Sequence, residues 1–173
     1  MNFPVPKLTN ATLDEAVAAG CDCVMLKHDG FPVTINCAAQ SCNIISDFRH
    51  EEKREVVEAI TLIEPLDALL VGAKSRLAVR PYIYIYDCWW MLGQDVQHLS
   101  FRERYVLART NVKSLDDRFK IVSVVPIAQA PTLWKEVMMD PETYKGLVFR
   151  RSRDTSVGEL FIRRYYKESP TAL

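Results

Sequence analysis

The chain has 173 residues, with 22 basic and 22 acidic side chains that cancel to a formal net charge of zero at pH 7. It is 49% hydrophobic and 25% charged, which is typical of a globular protein and excludes collagen-like, coiled-coil and low-complexity disordered chains. Charges interrupt every apolar stretch, so we expect neither a membrane-spanning segment nor a membrane partner. Five cysteines cannot all pair within one chain, which favours an intracellular, reducing, cytoplasmic location.

The first half of the chain contains a predicted short helix, a β-hairpin and a longer helix. A capping-box spacing and a closing glycine bound the short helix. Apolar alternation on both sides of an Asp-Gly pair predicts the hairpin, with a lysine at its tip. Helix-forming residues at helical spacing predict the longer helix. The predicted ranges are 13–19 for the first helix, 21–27 and 31–36 for the strands, and Glu51–Ile63 for the second helix.

The second half of the chain alternates strands and helices without a repeat or a long linker. A β-branched and aromatic run predicts a strand, and a second capping box opens a helix. The predicted strands are 82–86, 120–125, 146–151 and 159–166, and the predicted helices are 100–109 and 132–139. We therefore expect a single α+β domain over residues 1–173, with mainly antiparallel sheets flanked by helices.

The basic residues are concentrated near the end of the sequence. Residues 145–168 contain seven basic and three acidic side chains, so the first 144 residues are acidic overall. A basic segment favours an anionic partner, and Arg150, Arg151 and Arg153 are the candidate contacts to nucleic acid. A solvated basic hairpin explains the same charges without any partner.

Lys27 is the candidate residue for covalent chemistry. It ends a predicted strand and is followed by His28 and the Asp29–Gly30 turn. A lysine amine is a nucleophile when its pKa is lowered, and a glycine beside it lets the backbone approach a ligand closely. The alternative interpretation is a solvated lysine beside an ordinary hairpin turn.

The order of several short motifs resembles the covalent nucleotidyltransferases, which comprise ATP-dependent DNA ligases, RNA ligases and mRNA capping enzymes. The segment 27–30 is similar to the Lys-x-Asp-Gly motif of that family. The segments 85–89 and 92–104 are similar to the ligase stretch that begins Phe-Asp-x-Leu. The segment 144–150 is similar to the Glu-Gly-Leu-Val-x-Lys strand, and 160–167 falls where the final Lys-x-Lys strand would lie. The resemblance implies a ligase-type, ATP-grasp-like nucleotidyltransferase domain.

The resemblance also implies a reaction and its residues. Lys27 would attack the α-phosphate of ATP, with GTP as the less favoured alternative, and form a lysyl-AMP that is passed to a DNA or RNA end. Asp29 falls at the motif aspartate, and Tyr86 falls where an aromatic ring stacks on the base. The remaining implied contacts are Gly30 beside the nucleotide, Lys167 or Arg163 on the phosphates, and Mg²⁺ bridging the triphosphate.

Three positions depart from the family pattern. Pro32 replaces an arginine, Leu69 replaces a glutamate, and Lys145 replaces the glutamate that helps to hold the metal. Asp67 and Asp87 are then the remaining candidate metal ligands. The C-terminal oligonucleotide-binding-fold domain of the family is not present in these residues, so a protein partner is expected to replace it.

Two interpretations rest on the resemblance, beside a third in which the chain is an α+β interaction protein that uses Trp89 and Trp90 as its contact. In one, the chain is a small, divergent ligase-like nucleotidyltransferase of a kind that would suit a phage or virus. In the other, the fold is kept, catalysis is lost, and the chain binds nucleic acid or a protein. Lys27, Asp29 and Gly30 favour the enzyme, whereas the two lost carboxylates favour the binding module.

Overall fold

A computed structural model describes residues 7–47, 54–76, 82–112, 117–155 and 159–164. The elements in chain order are β1 (Lys7–Asn10), α1 (Leu13–Ala18), β2 (Cys23–His28), β3 (Phe31–Ala38), β4 (Ser41–Asp47), β5 (Arg54–Thr61), β6 (Ala68–Lys74), β7 (Ile83–Met91), β8 (Gln94–Asp95), α2 (Phe101–Asn111), β9 (Phe119–Ile121), β10 (Val125–Pro126), α3 (Ala130–Met139), β11 (Tyr144–Arg150) and β12 (Glu159–Arg164). The architecture is rich in sheet with few helices, as expected for an α+β protein. No helix among the described residues is long and apolar enough to cross a membrane.

The chain divides into two compact units. The first unit comprises residues up to Asp29, then Ser123–Ser152, and the residues from Val157 onward. The second unit comprises Gly30–Val122 and Arg153–Ser156.

The first unit contains a five-stranded sheet in the order β1-β12-β11-β2-β10. β1 runs parallel to β12, and the other pairs are antiparallel. Helices α1 and α3 pack on one face of this sheet, where Ala16, Val24, Val137, Leu147 and Phe149 form a buried cluster. That packing follows from strand alternation, because every second residue of β2 and β11 faces the helices.

The second unit contains a larger sheet in the order β5-β4-β3-β6-β7-β8, with β9 parallel to β7. Alternate residues of its strands, including Ile35, Ile44, Leu70 and Ile85, form a core with one face of α2. An ion pair joins strands far apart in this sheet, since Glu58 of β5 contacts both Lys74 of β6 and Arg118 beside β9, each at 2.5 Å. That spacing requires a strongly curved sheet.

Several sequence predictions are confirmed by this architecture. Both capping boxes are formed, at Thr12 with Glu15 and at Ser100 with Glu103. The strand over 82–86 is part of β7, and the helix over 132–139 is α3. The strands 146–151 and 159–166 correspond to the antiparallel pair β11–β12.

Three sequence predictions are wrong in the described residues. The segment predicted as a helix over Glu51–Ile63 contains strand β5, which pairs with β4 along its length. The predicted hairpin at Asp29–Gly30 is not formed, because β2 pairs with β10 and β11 whereas β3 pairs with β4 and β6. The predicted strand over 120–125 is divided between β9 and β10, which belong to different sheets.

Candidate functional site

Lys27 lies near the end of β2 in the first unit, where it is half-buried. In the sheet register Lys27 is opposite Gly146 of β11, and Gly146 is opposite Arg164 of β12. Residues opposite each other share a sheet face, and neighbouring strands are about 4.8 Å apart. Lys27 and Arg164 are therefore two cations on one face, about 10 Å apart at the backbone, with no side chain between them.

Gly146 is required for this arrangement. Its φ of +142° lies in a region that side-chain-bearing residues rarely adopt, and it follows a bulge in the pairing of β11 with β2. A Cβ atom built on Gly146 would lie 2.0 Å from the carbonyl oxygen of Arg163. The row from Lys27 to Arg164 is therefore open at its centre because only glycine fits there.

The structure places Arg163, a predicted phosphate contact, on the opposite face of the sheet. Its guanidinium lies 4.0 Å from the ring centre of Trp134 on α3, beside a small apolar cavity between α3 and the sheet. Arg163 therefore does not share a face with Lys27. Sequence reasoning missed Arg164, because the face of β12 that it occupies follows only from the register of β12 with β11.

His28 and Asp29 continue the chain beyond the candidate lysine. The His28 ring contacts Tyr144 edge-on, with 5.2 Å between ring centres. Burial, together with the neighbouring charge of Lys27, lowers the pKa of His28 from 6.5 to about 4, so the ring is neutral at pH 7. The backbone N–H of Asp29 donates to the carbonyl of Thr143 at 2.8 Å, which ties the motif to the start of β11.

Lys145, which stands where the motif resemblance implies a metal-binding glutamate, forms a hydrogen bond within its own segment of the chain. Its Nζ donates to the carbonyl oxygen of Pro141 at 2.7 Å. A cation held at this position repels a metal ion. Lysine in place of glutamate therefore reverses the charge at this position.

The two candidate metal ligands do not form a metal site. Asp87 is 4% exposed and receives two hydrogen bonds from the Arg104 guanidinium, at 2.9 and 3.0 Å. Asp67 accepts a hydrogen bond from the Trp90 indole at 3.1 Å. The two aspartates are separated along the sheet, because Asp67 precedes β6 whereas Asp87 is opposite Val71 in the middle of β6. The described residues contain no group of three or more His, Cys, Asp or Glu side chains that could hold a metal ion. The side chains present therefore do not fit Mg²⁺.

The three predicted nucleic-acid contacts differ in their exposure and in the unit to which they belong. Arg150 is only 7% exposed, so it is unavailable to a partner in solution. Arg151 donates to the carbonyl of Ala19 at 3.5 Å, where a cation favourably meets the end of α1. Arg153 is exposed but belongs to the second unit.

The remaining predicted site residues lie in the second unit or outside the described residues. Tyr86 is half-buried at a bulge in the pairing of β7 with β6, a feature that commonly redirects a side chain. Gly30 is needed for close packing, since a Cβ there would lie 2.5 Å from the carbonyl oxygen of Lys74. Lys167 lies outside the described residues.

Two solved structures share the fold of this chain. The ligase domain of LigD from M. tuberculosis has a TM-score of 0.69 and 11% identity, over 93% of this chain and 59% of that chain. A mycobacterial DNA ligase D complexed with ATP and MES has a TM-score of 0.68 and 11% identity, over 94% of this chain and 60% of that chain. No protein-family model matches the sequence, and no curated protein does either.

At this level of identity the likeness concerns the fold. It covers both units of the chain, and the chain spans about 60% of the length of the two ligase structures. The resemblance indicated by the motifs is thus confirmed in three dimensions: the chain has the fold of the nucleotidyltransferase domain of DNA ligase D.

Proposed function

We propose that the chain is a ligase-like nucleotidyltransferase that uses Lys27 to form a lysyl-AMP and then transfers AMP to the 5′-phosphate of a polynucleotide. The observation that carries this proposal is the position of Lys27, which ends β2 in the Lys-His-Asp-Gly motif and faces the same side of the sheet as Arg164. A fold shared with a ligase that was solved with ATP supports ATP as the nucleotide.

The residues of the first unit can contribute to this reaction in defined ways. The Lys27 amine, after losing a proton to water, attacks the α-phosphorus of ATP. A nitrogen–phosphorus bond forms, the bond from that phosphorus to the bridging oxygen breaks, and pyrophosphate leaves. Arg164 would bind a phosphate, because a guanidinium on the same face neutralises anionic oxygens with directed hydrogen bonds. The open space above Gly146 admits the phosphates between the Lys27 amine and the Arg164 guanidinium.

No step of this mechanism is assigned to Mg²⁺, because the described carboxylates do not fit it. Asp87 is neutralised by Arg104, and Lys145 adds positive charge where a metal ligand would be needed. In this mechanism Arg164 balances part of the charge of the phosphates, because Lys27 must be a neutral amine when it attacks. The reaction is therefore expected to depend less on divalent cations than that of a nucleotidyltransferase with the full carboxylate set.

A second candidate function is a non-catalytic module that binds a polynucleotide or a protein. The same absence of an acidic cluster from the described residues favours it, since the motif lysine can bind phosphate without becoming a nucleophile. The two candidates make opposite predictions about a covalent intermediate.

The deciding experiment is the intact mass of the protein after incubation with ATP or GTP, with and without Mg²⁺ or Mn²⁺. A gain of one nucleoside monophosphate in the wild type, lost in Lys27→Ala, supports the enzyme. Lys135→Ala is the matched control, because Lys135 is an exposed lysine of α3, on the face of the sheet opposite Lys27. An unchanged mass under every condition overturns the proposed reaction and leaves the binding module.

A further inference from the structure

Two tyrosines lie on the side of the second unit's sheet that faces away from its core. Tyr82 and Tyr84 are half-buried, whereas Ile83 and Ile85 between and beyond them are buried in the core. The two rings are neighbours, with 6.2 Å between their centres and 47° between their planes. Two adjacent aromatic rings on one sheet face, each with surface open to solvent, have the form of a stacking platform.

A lysine from the neighbouring strand lies beside these rings. Lys120 of β9 is opposite Tyr84 in the parallel register, and its Nζ lies 5.5 Å from the centre of the Tyr82 ring. The Lys120 side chain is exposed, so its ammonium remains available to an anion. Proteins that bind single-stranded nucleic acid combine aromatic rings, on which the bases stack, with cations that contact the phosphates.

The other side of the platform is bounded by small side chains. Ala73 of β6 is opposite Tyr84, and Pro32 of β3 is opposite Ala73. Neither side chain is long enough to fold across the Tyr84 ring. The side chains opposite Tyr84 in β6 and β3 therefore do not cover its ring.

The charges near the platform favour an anionic ligand. Exposed Arg76 follows Ser75, whose N–H donates to the carbonyl of Tyr82 at 2.8 Å. Glu58 is already engaged by Lys74 and Arg118. The cations named at this end of the sheet are Lys74, Arg76, Arg118 and Lys120, and the carboxylates are Glu58, the exposed Asp117 and the exposed Glu55 of β5.

We propose that Tyr82, Tyr84 and Lys120 form a platform for an unpaired nucleic-acid strand, with successive bases stacked on the rings and a phosphate held by Lys120. Stacking on aromatic side chains is tolerant of sequence because every base has a π-face. In biological terms the inference rests on the proposed function, since this strand would be part of the polynucleotide substrate. Its physical basis lies wholly in the second unit.

The test is the binding of a fluorescently labelled single-stranded oligonucleotide, as DNA and as RNA, to the full chain by fluorescence anisotropy. Tyr82→Leu and Tyr84→Leu should each weaken binding about tenfold, whereas Tyr84→Phe keeps the ring and should retain affinity. Lys120→Ala should reduce the slope of log affinity against log salt by about 1. Tyr105→Leu, on α2 of the same unit, is the matched control and should bind like the wild type.

Folding of each variant is checked by circular dichroism and thermal unfolding before binding is compared. Unchanged affinity in folded Tyr82→Leu and Tyr84→Leu, or no binding of either oligonucleotide to the wild type, overturns the platform. So does equal weakening by Tyr105→Leu.

The mass experiment separates this inference from the proposed function. The platform variants should still acquire the nucleoside monophosphate on Lys27, because the platform is not part of the proposed covalent step. If the wild type acquires no label but binds oligonucleotides through the tyrosines, the proposed reaction fails and the platform stands. If labelling occurs and oligonucleotide binding does not, the platform fails alone.

Discussion

At the scale of single residues, Gly146 determines whether Lys27 and Arg164 can share an open sheet face. A side chain at this position would meet the carbonyl of Arg163, which belongs to the backbone of β12 and cannot move aside cheaply. We expect Gly146→Ala to lower the free energy of unfolding by about 3 kcal/mol, since both backbone strain and the steric clash oppose it. Urea-induced unfolding measures this change.

Gly93 provides the matched control for that substitution. It also has a positive φ, of +79°, but a Cβ there would make only an ordinary contact, 3.6 Å from the Asp67 carboxylate. Gly93→Ala should therefore cost only about 1 kcal/mol from backbone strain. Equal losses in the two variants would show that the contact with Arg163 contributes nothing.

His28 gives the molecule a specific response to acid. Its pKa is lowered to about 4 by burial, against 6.5 in the unfolded chain, so the unfolded state binds a proton first as the pH falls. Stability should therefore decline between about pH 6.5 and pH 4, by about 3 kcal/mol in total. The same loss should be much smaller in His28→Gln, as measured by urea unfolding at a series of pH values.

Two carboxylates also make the stability depend on pH in acid. Hydrogen bonds from Ser152 outweigh the effect of partial burial and lower the pKa of Asp22, and Lys74 and Arg118 likewise lower that of Glu58. These carboxylates begin to lose their contribution near their unfolded pKa values of 4.5 for Glu58 and 3.8 for Asp22, so that loss falls at the acid end of the His28 window and below it. A slope in that window that stays unchanged in His28→Gln would contradict the assignment to His28.

At the scale of elements, a buried ion pair joins α2 to β7. Arg104 is fully buried, and its guanidinium binds both carboxylate oxygens of Asp87 and the carbonyl of Leu99. Arg104→Met should lower the free energy of unfolding by about 4 kcal/mol, because Asp87 is then left charged and buried. Thermal or urea unfolding measures the loss.

A double variant tests the reason for that loss. Replacing Asp87 by asparagine in the Arg104→Met background removes the stranded charge, so the double variant should be more stable than Arg104→Met alone. If the second substitution destabilises the protein further, the loss in the single variant comes from packing rather than from an uncompensated charge.

The elements also show what local sequence can and cannot predict. The two capping boxes were predicted correctly because their hydrogen bonds lie within four consecutive residues. The segment around β5 was mistaken for a helix because its glutamates are helix formers. Pairing with β4 decides the outcome, and the signal was present in the β-branched Val56, Val57, Ile60 and Thr61.

Long-range pairing also limited the prediction of the site. Lys27 was identified from its own motif, but its partner across the sheet depends on the register of β2, β11 and β12. Arg163 was chosen over Arg164 because position along the chain does not reveal a sheet face until one strand register is known. The burial of Asp87 could not be predicted either, because its partner Arg104 lies 17 residues further along the chain.

At the scale of the whole molecule, the two units differ in how the chain builds them. The first unit is assembled from three separate segments, whereas almost all of the second lies within Gly30–Val122. Every member of the second unit's hydrophobic core falls inside that continuous range. Two hydrogen bonds tie α2 to the short segment outside that range, from the Phe101 N–H to the Asp154 carbonyl and from the Arg104 guanidinium to the Thr155 carbonyl.

A fragment comprising residues 30–122 should therefore fold by itself. It retains β3–β9, α2 and the complete apolar core, and we expect a sheet-rich circular dichroism spectrum with a cooperative thermal transition. Its transition should lie below that of the full chain, because the contacts to Asp154 and Thr155 are lost. A corresponding piece from Ser123 onward lacks β2, the strand that joins β11 to β10, and should remain unfolded. If the 30–122 fragment shows no cooperative transition, its core is insufficient and the two units fold only together.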